Sequence, residues 1–252
     1  MSELVHLDVT RQDGGALATI TLDSPHNRNA LSRQLVTELF GHLRAAAVDP
    51  SVKVLLVRSA DRVFCSGADL SEATSEGMEE GARRIVELQR LIATIPKPVV
   101  TEVSGAVRAG GIGIVAASDV AVVADDATFA LTEVKLGLAA AIISLTVHHR
   151  MTPRAAALTT LGGEVFTGRE AAAYGLVTTA VPGADLDAEV ARVCASLATG
   201  APQGLRESKR ILNRDLVARI DAHGEEMAEL SARLFASDEA REAMTAFLSR
   251  KK

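Results

Sequence analysis

The sequence predicts an α/β fold, and three observations carry that reading. Short apolar runs at residues 4–9, 17–22, 52–57, 99–103 and 120–124 alternate with segments whose apolar residues recur at helical spacing. The core material is aliphatic: 48% of residues are apolar but only 3% are aromatic, with no Trp and one Tyr, so the interior must be built from Val, Leu, Ile and Ala. Two loops rich in small residues, at 64–70 and 104–113, each follow a strand-like run. Small residues let a ligand approach the backbone closely.

The elements follow in order. Residues 4–9 and 17–22 read as strands joined by a hairpin at Asp13-Gly14-Gly15, where glycine tolerates positive φ. Ser32 can cap the next helix, in which Leu35, Val36, Leu39, Phe40 and Leu43 share a face. Residues 52–57 read as a buried strand. Ile85, Leu88, Leu91, Ile92 and Ile95 form a second helical stripe, ended by Pro96 and Pro98. After the strand at 99–103, a short helix starts among Gly105, Gly110, Gly111 and Gly113, and residues 120–124 are again strand-like.

The second half changes character. Residues 141–150, 154–161 and 169–174 read as helices and 176–181 as an extended piece. After Asp185 the chain is nearly all helix, with breaks expected at Gly200-Ala201-Pro202 and His223-Gly224. Leu212, Leu216 and Ile220 line one face, as do Met227, Leu230 and Leu234. The chain thus divides into a core, 1–195, and a helical region, 196–252. The apolar stripes after residue 200 exceed what a small helical annex can bury alone, which points to self-association.

Charge and composition exclude several functions. The formal net charge is −5, and the basic cluster Arg250-Lys251-Lys252 reads as a solvated tail. Nucleic acid is not an expected partner, because such binding rests on phosphate neutralisation. Cys65 and Cys194 are too few for a disulfide framework, and no metal-ligand spacing occurs, so no metal is expected. No basic stretch followed by an apolar one opens the chain, and no run reaches the roughly 18 apolar residues of a membrane span. The expectation is a cytoplasmic protein that does not engage membranes.

The two loops read Phe64-Cys65-Ser66-Gly67-Ala68-Asp69-Leu70 and Ser104-Gly105-Ala106-Val107-Arg108-Ala109-Gly110-Gly111-Ile112-Gly113. One backbone N–H from each could hold a carbonyl oxygen that becomes negative during a reaction. A phosphate-binding reading is weak: Gly111-Ile112-Gly113 is followed by Ala116 where a third glycine would stand. His148-His149 is a poor metal pair, since adjacent helical residues face different directions. Cys65 has no His motif to activate it. Arg108 and Ser144 fit surface or helix-cap roles better than pocket roles.

Taken together the motifs resemble the enoyl-CoA hydratase/isomerase family, also called the crotonase superfamily. The resemblance spans nearly the whole chain. It runs through Asn27-Arg28-Asn29-Ala30-Leu31-Ser32, the segment 63–70, Val103-Ser104-Gly105-Ala106, Ala109-Gly110-Gly111 and Ser118-Asp119. Phe129, Thr132-Glu133, Leu136-Gly137, Thr167-Gly168, Gly175-Leu176-Val177 and Met244-Thr245-Ala246-Phe247 extend it.

The resemblance implies a crotonase-like spiral of β-β-α units with a C-terminal helical trimerisation region, assembled as a homotrimer or hexamer. It implies an acyl-CoA substrate, with coenzyme A entering as part of that substrate and no separate cofactor. By motif position, the N–H groups of Ala68 and Gly110 hold the thioester oxygen, and Glu133 transfers the proton. Ser66, Ala68, Asp69, Leu70, Ser71 and Gly110 line the substrate channel, and Arg28 and Ala30 fall where the coenzyme binds. One departure matters: hydratases of the family carry a second glutamate three residues after the oxyanion glycine, and this chain has Gly113 there. The expected activity is enoyl-CoA hydration. The alternatives are enoyl-CoA isomerisation by the single Glu133, and acyl-CoA binding with little catalysis. If only the missing carboxylate limits hydration, Gly113→Glu should add it.

Overall fold

This computed structural model describes residues 2–12, 14–72 and 75–249. It begins with the hairpin β1 (Val5–Gln12) and β2 (Gly15–Leu22), whose register pairs Gln12 with Gly15. Asp13 of the expected turn lies outside the described residues, and Gly14 takes φ 100°. Helix α1 (Arg33–Val48) follows, and the Ser32 hydroxyl accepts the Leu35 N–H at 3.3 Å as its cap.

Three strand–strand–helix units come next, each built alike. A long strand enters the main sheet, a three-residue strand enters a second sheet, and a helix returns. The first unit is β3 (Val52–Ser59), β4 (Val63–Cys65) and α2 (Ser75–Thr94). The second is β5 (Val99–Val103), β6 (Ala106–Arg108) and α3 (Gly110–Ala117). The third is β7 (Val120–Ala124), β8 (Thr128–Ala130), a 3-10 turn Thr132–Leu136 and α4 (Ala141–Arg150). The long strands are buried on both faces, which is why they read as continuous Val/Leu runs rather than alternating ones.

Helix α5 (Pro153–Gly162), strand β9 (Phe166–Thr167), helix α6 (Gly168–Ala173) and strand β10 (Thr179–Val181) complete the core. Among the described residues the main sheet runs β1-β2-β3-β5-β7-β10, parallel from β2 onward, and the small sheet runs β4-β6-β8-β9. Phe129 and Phe166 stack between β8 and β9 with ring centroids 5.6 Å apart. The short extended piece is narrower than expected, because only residues 179–181 pair with β7.

Helices α7 (Leu186–Ala198), α8 (Pro202–Leu212), α9 (Arg214–Phe235) and α10 (Asp238–Ser249) end the described chain. The break at Gly200-Ala201-Pro202 occurs, but His223-Gly224 is no break: α9 runs straight through it. Gly224 serves close packing instead, since a Cβ there would stand 2.8 Å from Val86 Cγ1 on α2. Residue 195 falls inside α7, and α9 folds back across α2 and α4. Buried ties fix that return. Lys209 Nζ donates to the Ile92 and Lys97 carbonyls and pairs with Asp119 at 2.7 Å, while Asn213 Nδ2 donates to Asp119 Oδ1 and the Ala93 carbonyl. No helix among the described residues is long and apolar enough to cross a membrane. The Arg250-Lys251-Lys252 cluster lies outside the described residues.

Candidate active site

Strands β4, β6 and β8 are parallel neighbours, so the chain leaves all three at the same edge of the small sheet. The loops after them carry the motif residues to one cavity of about 350 Å³, whose wall includes Ala68, Asp69, Gly110 and Glu133.

The loop after β4 is braced from outside by residues 27–31. The Ser66 N–H donates to the Arg28 carbonyl at 3.1 Å, and its hydroxyl to the Asn27 carbonyl at 3.1 Å. Asn27 Nδ2 donates to Asp69 Oδ2 at 3.0 Å, and the Leu31 N–H to the Gly67 carbonyl at 2.8 Å. Asp69 Oδ1 accepts the N–H and hydroxyl of Ser71. Burial raises the Asp69 carboxyl, but the Ser71 and Asn27 hydrogen bonds outweigh it and hold the group below the usual carboxylate range. Asp69 therefore stays ionised as a brace of the loop.

The loop after β6 contains Ala109 at φ 46° and ψ −122°, a conformation that a Cβ disfavours. It abuts Gly67, whose φ is 97°; a Cβ on Gly67 would stand 2.8 Å from Ala109 Cβ. The two loops therefore touch at the residues that precede Ala68 and Gly110. Gly110 opens α3, where a first-turn N–H has no partner inside the helix. A Cβ on Gly110 would stand 2.7 Å from Leu31 Cδ1, so glycine lets the helix start close to the first loop. Neither the Ala68 nor the Gly110 N–H has an acceptor among the described residues.

The loop after β8 brings Glu133 into the first turn of Thr132–Leu136. Its Oε2 is buried and has no hydrogen-bond partner among the described residues. Burial pushes the carboxyl up to about 7, against a lowering by its own backbone N–H. A carboxyl poised near neutrality can both release and take a proton.

Position 113 does not line this cavity and lies behind Ile143, which does. A Cβ on Gly113 would stand 2.7 Å from Ile143 Cγ2 and 3.1 Å from Gln89 Oε1. Gln89 is fully buried and fully engaged: its Nε2 donates to the Ile85 and Ile142 carbonyls, and its Oε1 accepts the Thr146 hydroxyl at 2.6 Å.

The remaining candidates separate. Ser71 lines a second hollow that shares Ser32, Asp69 and Glu72 with the cavity. Ser66, Arg28 and Ala30 line neither; Ser66 is a tether, the Arg28 side chain is exposed, and Ala30 is buried. The Leu70 side chain lies outside the described residues. Arg108 ties β6 to β8 by donating to the Val107 and Thr128 carbonyls, and Ser144 donates to the Ala141 carbonyl within α4. Cys65 is fully buried, which pushes its thiol up to about 12 and leaves it unsuited to nucleophilic attack. His148 contacts Thr160, and no group of three or more His, Cys, Asp or Glu side chains among the described residues could hold a metal.

Sequence reasoning missed the cavity's far wall. It is made by Met78, Ala82 and Ile85 of α2, by the start of α4, and by Ser231 and Phe235 of α9. Their rotation about the helix axes decides this, and no local motif marks it.

A family model described as enoyl-CoA hydratase/isomerase matches residues 12–252. The chain is 34% identical to a putative enoyl-CoA hydratase of Thermus thermophilus, over 79% of this chain and 81% of that one. It is 30% identical to the 2,3-dehydroadipyl-CoA hydratase of Escherichia coli, over 100% of this chain and 97% of that one. A crystal structure of a putative enoyl-CoA hydratase from Mycobacterium avium paratuberculosis superposes with a TM-score of 0.91 at 45% identity, covering 97% of each chain. Matched along almost its whole length and built on the same frame, the chain belongs to the enoyl-CoA hydratase/isomerase family.

Proposed function

We propose that the protein acts on enoyl-CoA thioesters with one carboxylate, Glu133, as its proton-transfer group. The Ala68 and Gly110 N–H groups hold the thioester oxygen as it gains negative charge, a contribution worth about 100- to 1,000-fold in rate per donor. Glu133 exchanges a proton with the carbon skeleton beside the thioester. Coenzyme A arrives as part of the substrate, and no further cofactor is needed. The observation that carries this reading is the partnerless, buried Glu133 Oε2 in the cavity that also receives Ala68 and Gly110.

Hydration of a 2-enoyl-CoA is the first reading of the overall reaction, in line with the names of the similar proteins. Water oxygen adds at the third carbon, and a proton adds at the second. Isomerisation is the second reading, favoured by Gly113: one base takes a proton from the second carbon and returns it to the fourth, with no water to orient. Incubation with a 2-enoyl-CoA and a 3-enoyl-CoA in deuterium oxide tests both. Gain of one water by the 2-enoyl ester marks hydration; a shifted double bond in the 3-enoyl ester, without gain of water, marks isomerisation. Binding of both esters with no chemical change would leave an acyl-CoA-binding protein and overturn the proposal.

A further inference from the structure

Glu133 is aimed by its backbone. Its Oε2 has no hydrogen-bond partner among the described residues, and its carboxyl takes a hydrogen bond from its own backbone N–H. The direction of the side chain therefore depends on the turn that carries it, Thr132–Leu136, rather than on a ring of neighbouring side chains. That turn closes on the same residue. The N–H groups of Gly137 and Leu138 both donate to the Glu133 carbonyl, the second at 3.0 Å, and Gly137 ends the turn at φ 69°. Whatever holds Gly137 in place thus holds the base.

Two elements brace the turn from outside. On one side stands Gly163, just past α5, where a Cβ would lie 2.9 Å from Val134 Cγ1 and 3.1 Å from the Leu131 carbonyl oxygen. On the other side stands α10. A Cβ on Gly137 would lie 3.2 Å from both the N and the Cα of Ala240, and 3.3 Å from the carbonyl carbon of Glu239. The backbone of Gly137 therefore rests on the backbone of the first turn of α10, which cannot swing aside as the end of a side chain can. Ala240 is fully buried in this contact. The same turn of α10 is tied to the cavity wall. The Ser237 hydroxyl accepts the Ala240 N–H at 3.2 Å and donates to the Leu234 carbonyl at 2.7 Å, next to Phe235, which lines the cavity.

We propose that α10 seats the turn that carries Glu133, and that Ala240 is a positioning residue for the proton transfer. This rests on the reading of Glu133 as the proton-transfer group. Rate falls steeply when a reacting group is displaced: about 1 Å can cost about 100-fold. Binding of the acyl-CoA ester at the Ala68 and Gly110 loops does not pass through this turn, so a shift of α10 acts on turnover before it acts on affinity.

The test compares Ala240→Leu, which forces bulk into the contact, with Ala240→Ser, which keeps the position small. Turnover is measured on the enoyl-CoA ester that the wild type converts, and affinity by calorimetry with the corresponding saturated acyl-CoA ester. Ala240→Leu should lower kcat about tenfold to 100-fold with affinity largely kept, and Ala240→Ser should keep kcat near the wild type. Unchanged kcat in Ala240→Leu would mean that the turn does not depend on α10; an equal loss of kcat and affinity would mean a general loosening. Either result overturns the proposal. Amide hydrogen exchange gives a second measure without added bulk. Ser237→Ala removes the cap of α10, and protection of the Gly137 and Leu138 amides should fall about fivefold. Unchanged protection overturns the proposal even where Ala240→Leu does not fold. If the wild type converts neither a 2-enoyl nor a 3-enoyl ester, the catalytic reading falls, and the exchange result alone decides whether α10 seats the turn.

Discussion

At the scale of the residue, the proposed chemistry rests on two positions. Glu133 is a carboxyl that burial has raised from an ordinary 4.5 to about 7. As a base it must be ionised, so kcat/KM should rise with pH and level off above about 7. Glu133→Gln should cut turnover by at least about 100-fold while acyl-CoA binding is largely kept; near-normal turnover would make Glu133 structural. The same shift acts on stability. A carboxyl with a raised folded pKa favours the protonated fold, so its contribution is full below 4.5 and is lost as pH climbs through about 7. The Tm difference between Glu133→Gln and wild type should therefore grow in favour of the variant from pH 5 to pH 8. Gly113 is the second position. The sequence alone suggests that Gly113→Glu restores a hydratase carboxylate, but Ile143 and Gln89 already occupy that side. The expected outcome is an overpacked core costing about 1–3 kcal/mol and no gain in hydration. A stable variant with new hydratase activity would show that Gln89 gives way.

At the scale of the element, the strands, the helix stripes and the two small-residue loops were legible because each has a local cause. Ser32 caps α1, Pro96 and Pro98 follow α2, and the buried strands are apolar throughout. The small sheet was harder to read: β4, β6 and β8 have three residues each, too few to show a period, and they exist because their neighbours pair with them. Gly224 misled for a related reason. Glycine weakens an isolated helix, yet here it marks where α9 presses on α2. The two small-residue loops that line the cavity were legible as motifs, whereas Ser231 and Phe235 reach it only through the phase of α9. That phase depends on the buried joint at Lys209, Asp119 and Asn213. Burial lowers the Lys209 amine and Asp119 opposes the effect, as a charge held in place by its partner requires. Lys209→Met removes the ion-pair partner of Asp119, which keeps the Asn213 and Val99 hydrogen bonds and the nearby Arg150 charge, so the cost should stay at or below about 3 kcal/mol, the low end for a broken buried pair. Each kcal/mol should lower Tm by roughly 2–4 °C in a chain of this size, and KM should rise as the α9 wall loosens. A Tm unchanged within a degree would mean that the joint does not hold the helices.

At the scale of the whole molecule, the described residues leave two groups of large apolar side chains exposed. The sequence places the excess after residue 200, but Leu216 and Ile220 of those stripes are buried against Ala93 and Leu145 of this chain; Leu212 is 75% exposed, beside Ile211 at 65%, at the end of α8. A second group stands on α5 and beyond it: Leu158, Leu161 and Val165 are 62%, 75% and 61% exposed, and Val134 is 41% exposed. Val134 adjoins Glu133, and the chain just after α5 packs against it, since a Cβ on Gly163 would stand 2.9 Å from Val134 Cγ1. This patch therefore borders the turn that carries the proposed base. Large apolar side chains gathered on one surface mark a contact site, and a second copy of the chain would remove them from water and steady that turn. The expected assembly is a homotrimer or a pair of trimers, measured by light scattering at micromolar concentration. Leu158→Glu with Leu161→Glu should lower the particle mass, and kcat should fall more than acyl-CoA affinity, because the turn loses its support while the cavity remains. Ile211→Glu with Leu212→Glu should change mass without that bias against kcat. A wild type that runs as a monomer would refute the assembly, and a pair of charged variants with unaltered mass would move the contact away from both patches.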